Sequence, residues 1–147
     1  MLIDTRSTFA NALAVDAAAG RALVGDVMNI GTDGAFLSNR HGELVIQIRT
    51  AFTSGGSATV QFCLASDAQA AIAVDGTETR HFESRIYTMA QAIAGVTLII
   101  PPPQGLVYER YLGIQVVTAA ATTTAGAIDA FMTLDAVTWR AYPEAIS

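Results

Sequence analysis

Two stretches of this chain alternate between apolar and other residues, and they align on each other without gaps at a spacing of 68 residues. The first covers residues 43–67 and the second covers residues 111–135. In each, apolar side chains occupy every second position on both sides of a short loop of small residues. Successive side chains of a strand point to opposite faces, so each stretch is predicted to form two strands with one apolar face.

The alternation also predicts which side chains form the core. The residues that share the apolar faces are Leu44, Ile46, Ile48, Val60, Phe62, Leu64, Leu112, Ile114, Val116, Ile128, Ala130 and Met132. Two apolar faces of this kind can bury each other in a sandwich. Six aligned positions are identical, which fits either an internal duplication or chance in a chain rich in Ala and Thr.

Further strands are predicted between turn signals over residues 23–30, 79–87 and 95–100. Residues 67–76 are predicted to be a loop, with room for a short strand around Ile72. The total is about seven or eight short strands with little helix. The sequence therefore predicts an all-β fold, a single antiparallel β-sandwich or jelly-roll-like domain.

The two ends of the chain lack this two-residue alternation. Residues 1–22 are predicted to be an N-terminal arm with a short Ala-rich helix that ends near Gly20. Residues 23–135 form the predicted sandwich, and residues 136–147 a C-terminal tail. An apolar segment outside the sandwich needs another surface to cover it, either on a neighbouring subunit or on its own domain.

The composition favours an assembled protein. Hydrophobic residues make up 52% of the 147 residues and charged residues 14%, where about 25% charged is usual. A surface with so little charge suggests that partners cover part of it. The alternative is that much of the apolar fraction is Ala, which is small and tolerated at surfaces. The net charge of −5 and the lack of a basic cluster argue against binding to nucleic acid or anionic membranes.

The sequence gives little indication of an enzyme, and no cofactor is predicted. A metal site formed by His41, Glu43 and His81 is conceivable on a sandwich, but the simpler interpretation places His41 in a turn and His81 on the polar face of a strand. Cys63 could act as a nucleophile only if a histidine approached it, and a small strand residue is the simpler interpretation. Because it is the single cysteine, it cannot form an internal disulfide.

Neither secretion nor membrane insertion is expected. The N-terminus has no basic region followed by an apolar core, and the apolar stretches are too short to span a bilayer. We therefore expect synthesis in a cytoplasm.

Several collinear segments resemble the small β-sandwich cement (decoration) proteins of tailed-bacteriophage capsids. The segments are IDTR at residues 3–6 followed by Phe9 and by Ala14 and Val15, DVMNIG at 26–31, residues 43–67 with the run SATVQF, residues 101–112, TAGA at 124–127, and residues 131–135. The three consecutive prolines at 101–103 and the tail after Asp135 depart from the family pattern.

The resemblance implies a virion protein, made in the host cytoplasm, that binds the outside of an icosahedral shell and bridges major capsid protein subunits. It also implies a homo-oligomer, expected to be a trimer. The alternative is a virion-surface module that binds carbohydrate or a host, which would need an exposed aromatic platform. The six predicted interface residues are Ile3, Arg6, Phe9, Phe52, Trp139 and Tyr142.

Overall fold

The computed structural model describes residues 8–31, 42–103 and 107–133. These residues form nine β-strands and no helix. The strands are β1 (Thr8–Ala14), β2 (Gly20–Asn29), β3 (Glu43–Ser54), β4 (Thr59–Asp67), β5 (Thr79–Glu83), β6 (Tyr87–Thr88), β7 (Thr97–Ile100), β8 (Tyr111–Ala119) and β9 (Thr123–Thr133).

The strands lie in two antiparallel sheets that face each other. The first sheet has the order β1-β9-β3-β7, and the second has the order β2-β8-β4-β5, with β6 paired to β4. Apart from the two-residue β6, four strands lie in each sheet, and most consecutive strands change sheet. This arrangement is a jelly roll. The predicted fold class is therefore confirmed, with nine strands rather than seven or eight.

The two similar stretches of sequence pair with each other. The first provides β3 and β4 and the second provides β8 and β9, and each stretch crosses from one sheet to the other at its loop. β3 lies beside β9, with Ile46 opposite Ala130, and β4 lies beside β8, with Phe62 opposite Val116. The first strands of the two stretches, β3 and β8, therefore occupy matching inner positions in opposite sheets, and so do the second strands, β4 and β9.

The core is formed by the side chains that alternation predicts. All twelve predicted apolar residues belong to one buried cluster, and none is more than 8% exposed. Fully burying a side chain such as Ile46 or Leu112 contributes roughly 1.5–3 kcal/mol, so these positions dominate the stability of the fold.

The predicted N-terminal arm is wrong over its described part. Residues 8–14 form β1 beside β9, and β2 begins at Gly20, so the predicted boundary after residue 22 falls inside a strand. No helix forms in residues 8–22. Two register shifts interrupt β1, and Ala12 has a φ of 48°. These irregularities remove the alternation that would have revealed the strand.

The outer face of the second sheet is covered by the loop between β4 and β5. Ile72 of this loop packs against Cys63 and Ala65. It can approach closely because β8 has a glycine there: a Cβ built at Gly113 would lie 2.7 Å from Cδ1 of Ile72. Residues 68–78 contain no strand, so the short strand considered around Ile72 is not present.

The strand predicted over residues 79–87 ends at Glu83, because the Ser84 side chain replaces the next backbone hydrogen bond to β4. Oγ of Ser84 accepts a hydrogen bond from the backbone N–H of Phe62 at 2.9 Å, and the Ser84 N–H donates to the Phe62 carbonyl at 2.8 Å. The chain then leaves the sheet, and Ile86 is 60% exposed. It returns to β4 as β6.

Candidate functional site

Two of the six predicted interface residues lie inside the sandwich. Phe9 is 1% exposed and Phe52 is 2% exposed. The ring of Phe52 packs edge-on against that of Phe62, with centroids 6.3 Å apart. The prediction that these two side chains face a partner is therefore wrong, because both serve the core. Ile3, Arg6, Trp139 and Tyr142 lie outside the described residues.

The most chemically distinctive cluster surrounds His81, for which the sequence suggests a conceivable metal ligand, a partner for Cys63 or a residue of a polar strand face. Its Nε2 lies 2.7 Å from Oγ of Ser66 on β4. Its ring stacks on that of Tyr108, with centroids 3.8 Å apart and planes 12° from parallel. Oγ of Ser66 also accepts a hydrogen bond of 3.1 Å from the Glu109 N–H. The cluster thus joins β4, β5 and the segment before β8.

Burial sets the ionisation of this cluster. It lowers the pKa of His81 below its usual value of 6.5, and the nearby Glu109 carboxylate opposes the shift only in part. Burial also raises the pKa of Tyr108 to about 12. The Nδ1 atom of His81 is buried and has no hydrogen-bond partner among the described residues. The stacked pair is therefore uncharged at neutral pH.

A hydrogen-bonded Ser and His can form a nucleophile and its base, but the geometry of this pair favours a structural role. Ser66 is fully buried, so a substrate has no path to its hydroxyl. Its oxygen is also engaged by the Glu109 amide. We therefore assign the His81 cluster to the architecture of the sandwich.

Cys63 lies in a second polar cluster, on the outer face of the second sheet. It is fully buried, and this burial raises the pKa of its thiol despite the opposing effect of Arg21. Arg21 donates to Glu83 at 2.7 Å and to Gln115 at 3.0 Å. Gln115 in turn donates to the carbonyl of Ala73 at 2.7 Å. A buried, protonated thiol among these bonds is a packing residue, not an activated nucleophile.

Sequence reasoning did not single out Gln115, although a signal was present. It is a long polar residue inside the apolar strand β8 and is completely buried. Such a residue must satisfy its amide inside the protein, and here it fastens the loop of residues 68–78 to the sheet.

Neither a cluster of metal-binding side chains nor a helix that could cross a membrane occurs among the described residues. The described ranges contain no group of three or more His, Cys, Asp or Glu that could hold a metal ion. Glu43 begins β3, and His41, the third member of the conceived site, lies outside those ranges. No helix in the described part is long and apolar enough to cross a membrane.

The described surface displays aliphatic rather than aromatic side chains. Four large aliphatic residues are exposed by 41–78% of their area: Val74, Ile86, Ile93 and Val107. Every aromatic ring in the described ranges is buried or half-buried. This surface therefore offers apolar contact points, but no aromatic platform on which sugar rings could stack.

A comparison with family models gives one decisive result. The model of the Bbp16 family matches residues 9–132. The chain belongs to the Bbp16 family. No match was found among curated proteins.

The Bbp16 match coincides with the jelly roll. It begins at Phe9 in β1 and ends at Met132 in β9, so it includes the segment predicted to be an arm. It also contains the His81 and Cys63 clusters. The predicted interface residues Ile3, Arg6, Trp139 and Tyr142 lie outside the match.

Proposed function

We propose that this chain is a structural virion protein that binds the outer surface of an icosahedral phage capsid. In this role it acts as a homotrimer, bridges neighbouring major capsid protein subunits and stabilises the shell. Catalysis, a cofactor and nucleic-acid binding play no part in the proposed function.

The Bbp16 match is the observation on which this proposal mainly depends. It suggests a phage-related protein. It covers nearly all of the sequence segments that resemble capsid cement proteins. Both the Bbp16 match and the sequence resemblance therefore support a link to a phage, whereas the proposed cement function rests on the resemblance alone.

The described surface supports a role in assembly. It exposes Ile86 by 60% and Val107 by 78%, in a chain of which only 14% is charged. When a partner covers exposed aliphatic side chains of this kind, the removal of their apolar surface from water stabilises the complex. An icosahedral shell repeats each contact many times, so a modest contact made by each subunit can stabilise the whole particle.

The alternative function, a carbohydrate- or host-binding module, has no observation in its favour. A sugar-binding face usually presents exposed aromatic rings, and every ring in the described ranges is at least half-buried. We therefore do not propose it as a second function.

The proposal is tested by mixing the purified chain with capsids that lack it and pelleting the particles. We expect the chain to pellet with the capsids, and native mass spectrometry of the free chain to show a trimer. Single changes of Val74, Ile86, Ile93 and Val107 to Asp map the contact, because an exposed position tolerates charge without unfolding. At least one should abolish co-sedimentation at an unchanged melting temperature, whereas the exposed polar control Thr53→Asp should not.

Two results would contradict the proposal. If the unmodified chain stays in the supernatant over a wide range of concentrations, it is not a cement protein for that capsid. If native mass spectrometry shows only monomer at micromolar concentration, the trimer is wrong even where capsid binding is observed.

A further inference from the structure

We propose that His81 is an acid-sensitive latch that holds residues 107–110 on the sandwich and releases them when it is protonated. The His81 latch consists of Ser66, His81, Tyr108 and Glu109. It is a property of the fold and does not depend on the proposed capsid function.

The latch fixes a segment that lies outside the sheets. Residues 107–110 precede β8 and belong to no strand. The Tyr108 ring lies on His81, and its hydroxyl donates to the Pro103 carbonyl at 2.7 Å. The Glu109 amide donates to Ser66, and Oε1 of Glu109 accepts a hydrogen bond of 2.6 Å from Thr79. Side chains of β4 and β5 therefore supply much of what holds this segment.

The neutral imidazole fits this site, whereas the imidazolium does not. If Nε2 carries the single proton of the neutral ring, it donates to Ser66 at 2.7 Å and Nδ1 is left as a bare lone pair. The protonated ring carries a hydrogen on both nitrogens. Nδ1 is buried without a partner in the described ranges, so its N–H would be unpaired next to a buried charge.

The charged groups around the ring do not remove this penalty. On β4, Asp67 accepts hydrogen bonds from the amides of residues 69 and 73. On β5, Arg80 is bound to Glu78 at 2.7 Å. In the latched segment, Arg110 lies over the ring of Tyr111 at 5.4 Å.

Two groups favour the cation, and burial outweighs them. Glu109 is the described charged residue that acts on His81, and its attraction favours the protonated ring. The face of Tyr108 also attracts a cation. Burial nevertheless keeps the pKa of His81 below its usual value. The open segment, with a hydrated histidine, therefore binds a proton more readily than the closed segment.

The direction of the pH effect follows from linkage. Above the ordinary histidine pKa the ring is neutral in both states, and the latch has its full strength. As the pH falls below that value, the opening equilibrium rises by up to about tenfold for each pH unit, until it reaches the pKa of the closed state. Carboxylates remain ionised over most of this range, so the effect belongs to histidine.

Hydrogen–deuterium exchange of the full chain tests the latch. Exchange is measured in peptides that cover residues 107–113, at about pH 7.5 and about pH 5 on either side of the histidine pKa, after correction for intrinsic rates. Opening should increase several-fold at the lower pH in the unmodified chain, up to the limit of about tenfold per pH unit. The chain has only two histidines, so His41→Gln is the matched control and should behave like the unmodified chain. His81→Gln should lose the pH dependence.

A second measurement keeps the test decisive if His81→Gln does not fold. The two histidine ring signals are followed by NMR in the unmodified chain, with His41→Gln used to assign them. His81 should titrate below the ordinary value. The proposal is overturned if His81 titrates at or above that value. It is equally overturned if exchange over residues 107–113 is unchanged by pH, or changes in the same way in His81→Gln.

Discussion

The ring of Phe52 fills the space that a side chain at Gly126 would need. A Cβ built at Gly126 would lie 2.5 Å from Cδ1 of Phe52 and 2.8 Å from Cε1. Gly126 also has a φ of 150°, and its carbonyl accepts a hydrogen bond of 2.9 Å from Val15. A glycine in β9 therefore allows the Phe52 ring of β3 to occupy its buried position.

Gly126→Ala should destabilise the fold by about 2–4 kcal/mol, because overpacking against a ring adds to backbone strain. Gly55→Ala is the matched control, since a Cβ at Gly55 meets no atom within 4 Å and its φ is not positive. The control should change stability by less than about 0.5 kcal/mol. Chemical denaturation of both variants measures the difference, and equal costs would show that the close approach of Phe52 and Gly126 is wrong.

Ile46→Asp should prevent folding, because a carboxylate would be buried without a partner in the centre of β3. Its cost of several kcal/mol is comparable to the whole stability of a domain. Thr53→Asp lies in the same strand on an exposed position and should cost less than about 1 kcal/mol. Circular dichroism melting curves distinguish the two. A similar melting temperature for both variants would contradict the assigned register of β3.

The sequence predicts the strands in which alternation is regular and misses the one in which it is not. β3, β4, β8 and β9 repeat an apolar residue at every second position, and their core residues are predicted correctly. β1 contains two register shifts and a positive φ at Ala12, so its residues give no periodic signal. Bulges of this kind are set by tertiary packing, which is why they could not be predicted.

Candidate sites were harder to predict than strands. Phe52 is predicted to be an interface residue, but β3 continues to Ser54 and turns the ring into the core. The contact of His81 with Ser66 and Tyr108 joins three separate parts of the chain. No local spacing indicates such a contact, because it depends on how β4, β5 and the segment before β8 pack together.

Arg80→Met should destabilise the protein by about 2 kcal/mol, because it leaves the buried Glu78 carboxylate without its ion pair. The two side chains are 2.7 Å apart, with that of Glu78 fully buried and that of Arg80 36% exposed. The partial exposure of Arg80 places the cost below that of a fully buried pair. Arg49→Met is the control: its pair with Asp129 is longer, at 3.4 Å, and the Arg49 side chain is 56% exposed, so it should contribute less than about 1 kcal/mol. Equal losses in urea denaturation would contradict the prediction.

The same pair predicts an acid response. Burial alone would raise the pKa of Glu78, but Arg80 and the backbone N–H of Gly76 keep it below its usual 4.5. Its stabilisation is complete above 4.5 and is lost as the pH falls through the lower folded pKa. In Arg80→Met the folded pKa of Glu78 rises, so the difference from the unfolded state narrows and the acid-dependent loss of stability should become smaller. Free energies of unfolding across the acid range test this, and an equal loss in both proteins would count against the pair.

Gln115→Leu should loosen the loop of residues 68–78 from the second sheet. It removes the bonds of Gln115 to the Ala73 carbonyl and to Arg21, at a cost of about 2 kcal/mol. Cys63 lies beneath Ile72 of this loop and is the only cysteine, so its rate of modification by a thiol reagent reports opening. The rate should rise in Gln115→Leu and remain low in the exposed control Gln69→Leu. Fast labelling of the unmodified protein would contradict the burial of Cys63.

The central claim, that this Bbp16-family chain is a capsid cement protein, is tested most directly by the amount that binds at saturation. Capsids lacking the chain are titrated with it, pelleted and analysed for the ratio of bound chain to major capsid protein. We expect a plateau at a simple fixed ratio, because a symmetric shell offers a defined number of equivalent sites. Binding that never saturates, or no binding at concentrations where the chain is folded, would contradict it.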